Sequence, residues 1–178
     1  SIYIMFDLLK FKDNTAVVTD RNEVLTYSQL AQEVENFAVN YKSGFVFTLC
    51  ENLLGAFVGY VACMNKKIPQ VLLDGSKDLE LVQRLISIYQ PEYIWMPTAR
   101  VDEIGGETIY KYQEYSLQQM TYDNPIVDKR INPELQLCLT TSGSTGSPKL
   151  VRLSERNLES NAESIAQYLN ISASERAI

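Results

Sequence analysis

The chain has 178 residues, 46% hydrophobic and 21% charged, enough apolar material for one medium-sized core and too much for a chain disordered throughout. A formal net charge of -6 leaves no basic footprint for nucleic acid or an anionic membrane, so a phosphate ligand has to be held by local geometry against the overall field. Histidine is absent, which excludes His-based triads and His metal sites within these residues, and the three cysteines, Cys50, Cys63 and Cys138, lack the paired spacing of a zinc site or disulfide framework.

The first residues carry no charged region ahead of an apolar stretch, so no signal peptide is expected. The longest strongly apolar run, Leu53 to Met64, is too short to span a bilayer. With unpaired cysteines, this points to a reducing, cytoplasmic location. Ala16–Thr19 and Val24–Thr26, separated by Asp20-Arg-Asn-Glu23, predict a hairpin. Thr26 and Gln29 form a capping-box pair ahead of a helix whose Leu30, Val34, Phe37 and Tyr41 share one face, and Gly44 closes the unit.

Phe45–Leu49 predicts a strand, and Asn52–Met64 a helix apolar nearly all round and therefore buried on several sides. Glu51 and Asn52 stand at that strand-to-helix junction, a place where ligands often bind in open α/β sheets, and the favoured reading over a ligand role is a solvated acid and a helix cap. Pro69–Leu73 is the next strand, ended by an Asp74-Gly75 turn in which Asp74 is a turn residue. A third helix carries Leu79, Val82, Leu85, Ile86 and Tyr89 and stops at Pro91, and Tyr93–Trp95 is a short strand. From Gly105 to Pro133 the pattern weakens. Thr108–Tyr112 reads as a strand, a Tyr-, Gln- and Asp-rich connection follows, and Asp102-Glu103 belongs to solvated surface.

Leu135–Leu139 and Leu150–Leu153 are strands, with Cys138 a buried apolar residue inside the first, and Ser154 caps a final helix with Leu158, Ala162, Ile165 and Leu169 on one face. Strands alternating with helices at this spacing predict a layered α/β fold with a largely parallel sheet and flanking helices. The eleven tyrosines, with no basic residues interleaved, belong to core and interface rather than to stacking platforms.

Between the last two strands stands Thr140-Thr-Ser-Gly-Ser-Thr-Gly-Ser-Pro-Lys149. Gly143 and Gly146 permit backbone conformations closed to other residues and a close approach to a ligand. Successive N–H groups in such a turn form an anion nest. Thr141, Ser142, Ser144 and Thr145 add hydroxyl donors, and Lys149 puts a positive charge at the exit. Two residues between the glycines, Pro148 before the lysine and a strand rather than a helix afterwards exclude the Walker loop, and the kinase glycine loop does not fit either. The bland alternative, a flexible Ser/Gly linker, does not account for a Pro-Lys exit between two strands.

The segment from Thr141 to Lys149 resembles the signature of the AMP-binding, or adenylate-forming, superfamily of acyl-CoA synthetases, peptide-synthetase adenylation domains and luciferases. Leu25-Thr-Tyr-Ser-Gln-Leu30 resembles that family's early LTYxEL segment, and Leu150–Ser154 with Asn157-Leu158 its strand and helix after the signature. Ser154 stands near the position where many relatives carry histidine. The resemblance runs from about Thr15 onward and implies one unit over 1–178, part of the N-terminal subdomain of the adenylate-forming fold cut short at its C-terminus, with the signature at 140–149.

The resemblance further implies activation of a small-molecule carboxylate with ATP and Mg2+, giving an acyl-adenylate and pyrophosphate, then transfer to the thiol of coenzyme A or of a carrier-protein pantetheine. Thr141, Ser142, Gly143, Ser144, Thr145, Gly146 and Lys149 would hold the ATP phosphates. No catalytic residue and no metal ligand is expected within these residues, which would be inactive alone. Apolar surface left open at the end of a partial sheet is expected to favour self-association. The competing readings are a non-catalytic module that binds a phosphate or a partner through the same loop and, within the ligases, an amino-acid-activating enzyme that loads a carrier protein.

Overall fold

A computed structural model of the chain describes residues 15–18, 24–51, 53–75, 78–127, 137–141 and 149–153, with only the backbone described in the first and last two segments. Strand β1 (Thr15–Val18) pairs antiparallel with β2 (Val24–Thr26), the hairpin expected from the sequence. Helix α1 (Tyr27–Ala38) starts from the predicted capping box. Thr26 Oγ1 accepts the Gln29 N–H at 3.1 Å, and Gln29 Oε1 accepts the Thr26 N–H at 2.9 Å. Two otherwise unpaired donors of the first turn are thereby satisfied. Thr26→Ala is expected to cost about 1 kcal/mol, read as a lower urea midpoint at unchanged slope; an unshifted midpoint would show that the cap contributes nothing.

The core continues through β3 (Val46–Cys50), α2 (Leu54–Asn65), β4 (Gln70–Asp74), α3 (Leu79–Tyr89) and β5 (Tyr93–Pro97). A 3-10 turn (Thr98–Arg100) and the short α4 (Val101–Ile104) lead to β6 (Glu107–Tyr112) and β7 (Tyr115–Gln119). Strands β8 (Leu137–Thr141) and β9 (Lys149–Leu153) complete a seven-stranded sheet in the order β6-β7-β5-β3-β4-β8-β9. β3 lies parallel between β4 and β5, and β8 is parallel to β4. Both flanks are antiparallel, β6 and β7 beyond β5 on one side and β9 beyond β8 on the other. The parallel sheet expected from the sequence is the centre of this one.

β4 sits on one side of β3 and β5 on the other, so two right-handed crossovers place α2 and α3 on opposite faces. α2 and α1 cover one face, with Phe37, Val58, Val61, Trp95 and Leu117 in its core. Val82, Leu85 and Ile86 of α3 cover the other, against Phe47, Leu49, Val71 and Ile94. α2 is buried on nearly every side, as its uniform apolarity predicts. It approaches the sheet closely at Gly59, where an added Cβ would lie 2.2 Å from Trp95 Nε1.

Strand β7 departs from the sequence reading, in which these residues form a connection. It is the inner of the two strands on its flank, and its Ser116 and Gln118 are buried yet hydrogen-bonded: Ser116 Oγ lies 2.7 Å from Thr98 Oγ1, and Gln118 Nε2 donates to the Gly105 carbonyl at 2.9 Å. Tyr41, expected on the α1 face, follows the helix and sends its hydroxyl to the Gly44 carbonyl at 2.7 Å. The helix expected after Ser154 lies outside the described residues.

Candidate functional site

All four parallel strands point their carboxyl ends the same way, so Cys50, Asp74, Pro97 and Thr141 end at one rim of the sheet. The chain leaving β3 turns to the α2 face, whereas the segments leaving β4 and β5 turn to the α3 face, where Val101 and Ile104 pack. Diverging exits of this kind open a crevice at the rim, the usual ligand position in open α/β sheets. Here the crevice around the end of β3 is filled by protein.

Tyr115 occupies it from β7. Its hydroxyl donates to the Leu49 carbonyl at 2.6 Å and accepts the Glu51 N–H at 3.1 Å, closing the end of β3. Burial, with a smaller contribution from Cys50, pushes the phenol well above its usual range, so the proton needed for the Leu49 bond is held. Tyr115→Phe is expected to cost about 1–3 kcal/mol, since two backbone groups lose a buried partner; a thermal midpoint equal to that of the parent chain would contradict this.

Arg100 fills the remainder. Its Nη1 donates to the Gly75 carbonyl and lies 3.5 Å from Glu51 Oε1, and its Nε lies 3.4 Å from Glu103 Oε2. Glu51 is thus half-buried in an ion pair rather than a purely solvated acid, and Glu103 also takes part. Asn52, the companion of Glu51 in the sequence reading, lies outside the described residues. Gly75 N–H donates to the Cys50 carbonyl at 2.7 Å, and a Cβ on Gly75 would stand 2.6 Å from that oxygen, so the Asp74-Gly75 turn requires glycine for close approach. Cys50 is fully buried and its thiol is pushed far up by burial and then by Asp74, which makes it a poor nucleophile.

Of the residues singled out in the signature, Thr141 is the last of β8 and Lys149 the first of β9, and the two are direct partners in the antiparallel register. Ser142, Gly143, Ser144, Thr145 and Gly146 lie outside the described residues. The strand expected from Leu150 to Leu153 is present as β9. The parallel register of β8 against β4 pairs Leu139 with Leu72, so two residues onward Thr141 comes level with Asp74. The signature therefore leaves the sheet at the rim that carries Gly75 and Arg100.

A cavity of about 390 Å³ lies between β2, α1, α2 and the β6–β7 turn, lined by Leu25, Gln29, Glu33, Leu54 and Tyr112 among others. Among the described residues that line it the one carboxylate, Glu33, already accepts the Tyr110 hydroxyl at 2.9 Å, and there is no cation, so these residues offer nothing to a polyphosphate. Among the described residues no group of three or more His, Cys, Asp or Glu could hold a metal ion, and no helix is long and apolar enough to cross a membrane.

The sequence reading did not single out Arg100 or Tyr115. Arg100 stands alone between a short strand and the Asp102-Glu103 pair, and its partners besides Glu103, Gly75 and Glu51, are 25 and 49 residues away in the chain. No local periodicity signals such a contact.

Comparison with known proteins gives the following. The family model described as AMP-binding enzyme matches residues 7–177. A hybrid PKS-NRPS synthetase from Fusarium sp is 26% identical over 172 residues, covering 89% of this chain and 4% of that protein. Among solved structures, apo MatB from Rhodopseudomonas palustris superposes with a TM-score of 0.65 at 20% identity, over 95% of this chain and 37% of that one. The o-succinylbenzoate coenzyme A synthetase MenE of Bacillus subtilis, solved with AMP, gives 0.61 at 16% identity, over 95% and 46%. The N-terminal subdomain of Klebsiella oxytoca NpsA gives 0.58 at 21%, over 87% and 42%. The chain thus spans less than half of each of these structures and a small fraction of the curated relative.

Proposed function

Since this chain belongs to the AMP-binding enzyme family, we propose that it forms part of the N-terminal subdomain of an ATP-dependent acid–thiol ligase, with residues 141–149 as its phosphate clamp. The observation that carries this reading is the Thr141–Lys149 pairing at the carboxyl rim. It sets the two ends of the signature one strand spacing apart, and the donor set between them, two glycines and a run of hydroxyls, suits a polyphosphate.

ATP would supply the activated phosphorus for joining to a small carboxylate, with pyrophosphate as leaving group and a thiol of coenzyme A or a carrier-protein pantetheine as final acceptor. The residues of this chain would position and neutralise. The N–H groups and hydroxyls from Thr141 to Gly146 would orient the outer phosphates, and Lys149 would balance the charge that grows on the leaving group. None of them needs to move a proton. On this reading the acyl pocket and the Mg2+ ligand lie in residues other than these, and these 178 residues do not turn over alone.

The test is ATP–pyrophosphate exchange by the full native protein against a panel of carboxylates. Exchange that depends on one class of acid is the expected result. Nucleotide binding with no exchange for any acid would replace the ligase by a non-catalytic phosphate-binding module.

A further inference from the structure

Arg100 joins three places that the chain visits far apart: Glu51 after β3, Gly75 after β4, and its own position after β5. The Gly75 N–H bond to the Cys50 carbonyl locks the first two exits together from the other side. The next strand beyond β4 is β8, and its last residue, Thr141, lies level with Asp74, the residue immediately before Gly75. Neighbouring strands are about 4.8 Å apart. The guanidinium therefore anchors the turn that borders the first residue of the signature.

We propose that Arg100 is a positioning residue for the phosphate loop, holding the exit of β4 rigid beside Thr141, so that β8 ends at a fixed place on the rim. This rests on the reading of 141–149 as a phosphate clamp. Arg100 is not itself a phosphate ligand. It is only 23% exposed and faces two carboxylates, Glu51 and Glu103, so its charge is compensated on site, unlike a cation kept for an anion. Its planar fork is what the geometry uses: one nitrogen serves a carbonyl and a carboxylate of different loops while another faces Glu103.

The experiment compares Arg100→Gln, Arg100→Lys and Glu51→Gln in the full native protein by amide hydrogen exchange and by ATP–pyrophosphate exchange. Loss of a charge-assisted bond is expected to speed amide exchange at Gly75 and over residues 141–149 about tenfold or more, with the β6–β7 turn unaffected. Arg100→Lys should behave nearly like Arg100→Gln, because an ammonium cannot reproduce the fork. Glu51→Gln, which keeps the shape, should loosen the same amides by a smaller factor. In the activity arm kcat per folded site should fall about 10- to 100-fold, the size of effect small misplacements produce, with the KM for ATP changed far less. Faster exchange at Gly75 with unaltered protection over 141–149 would overturn the proposal, as would an unchanged kcat per folded site. Lys149→Ala runs alongside: if it leaves activity intact while Arg100→Gln loosens the loop, the clamp reading fails and the positioning contact stands.

Discussion

Lys149→Ala is expected to lower ATP–pyrophosphate exchange of the full native protein by about 100- to 1,000-fold, the range for removing one group that stabilises charge developing in a transition state. Chain electrostatics favour a large effect. The net charge is -6, so the field of these residues repels a polyphosphate and the few cations placed locally have to overcome it. Folding should be insensitive to the change, because Lys149 joins Thr141 through the backbone ladder, which alanine preserves. The expected signature is thus a lost rate at an unchanged thermal midpoint. Lys149→Arg should recover part of the rate, since it keeps the charge but alters its shape and hydration. Exchange equal to that of the parent protein in Lys149→Ala would remove Lys149 from the site.

The second large effect is on stability. Trp95→Ala is expected to destabilise the chain by about 3–5 kcal/mol, a large share of the roughly 5–15 kcal/mol available to a domain. Trp95 is fully buried on the α2 face, and its Nε1 donates to the Gly55 carbonyl at 2.7 Å. Around it Phe37 packs edge-on at 5.1 Å, Tyr110 stacks at 5.8 Å and Tyr115 tilts at 5.4 Å between ring centroids. One side chain thus joins α1, α2, β5, β6 and β7. Gly59 supplies an internal control. Because an added Cβ there would run into Trp95, Gly59→Ala should be costly in the parent chain and much cheaper beside Trp95→Ala. Equal costs in the two backgrounds would show that the close approach of α2 to the indole has been misjudged.

Most elements of the central sheet are legible in the sequence, since each carries a local signal. The capping box of Thr26 and Gln29, the all-round apolarity of α2 and the helical spacing of Val82, Leu85, Ile86 and Tyr89 are short-range patterns, and α1, α2 and α3 fall where those patterns put them. β7 is hidden for a physical reason. Its buried Ser116 and Gln118 look like surface residues in a one-dimensional reading, and their burial is tolerable only because Thr98, Thr108 and Gly105 supply partners from other elements. Its turn carries no glycine or asparagine signal either, since Gln113 takes the left-handed conformation.

By itself, then, the sequence determined the family signature and the strands that flank it, because glycines, hydroxyls and a lysine at that spacing express their chemistry locally. Tertiary structure alone decided the strand order, with β3 between β4 and β5, and it alone brought Arg100, Glu51, Gly75 and Tyr115 to one rim beside Thr141. Those contacts join residues 25 to 64 positions apart. Such partners are chosen by which crossovers bury the two faces of the sheet, a property of the whole chain that no short window contains.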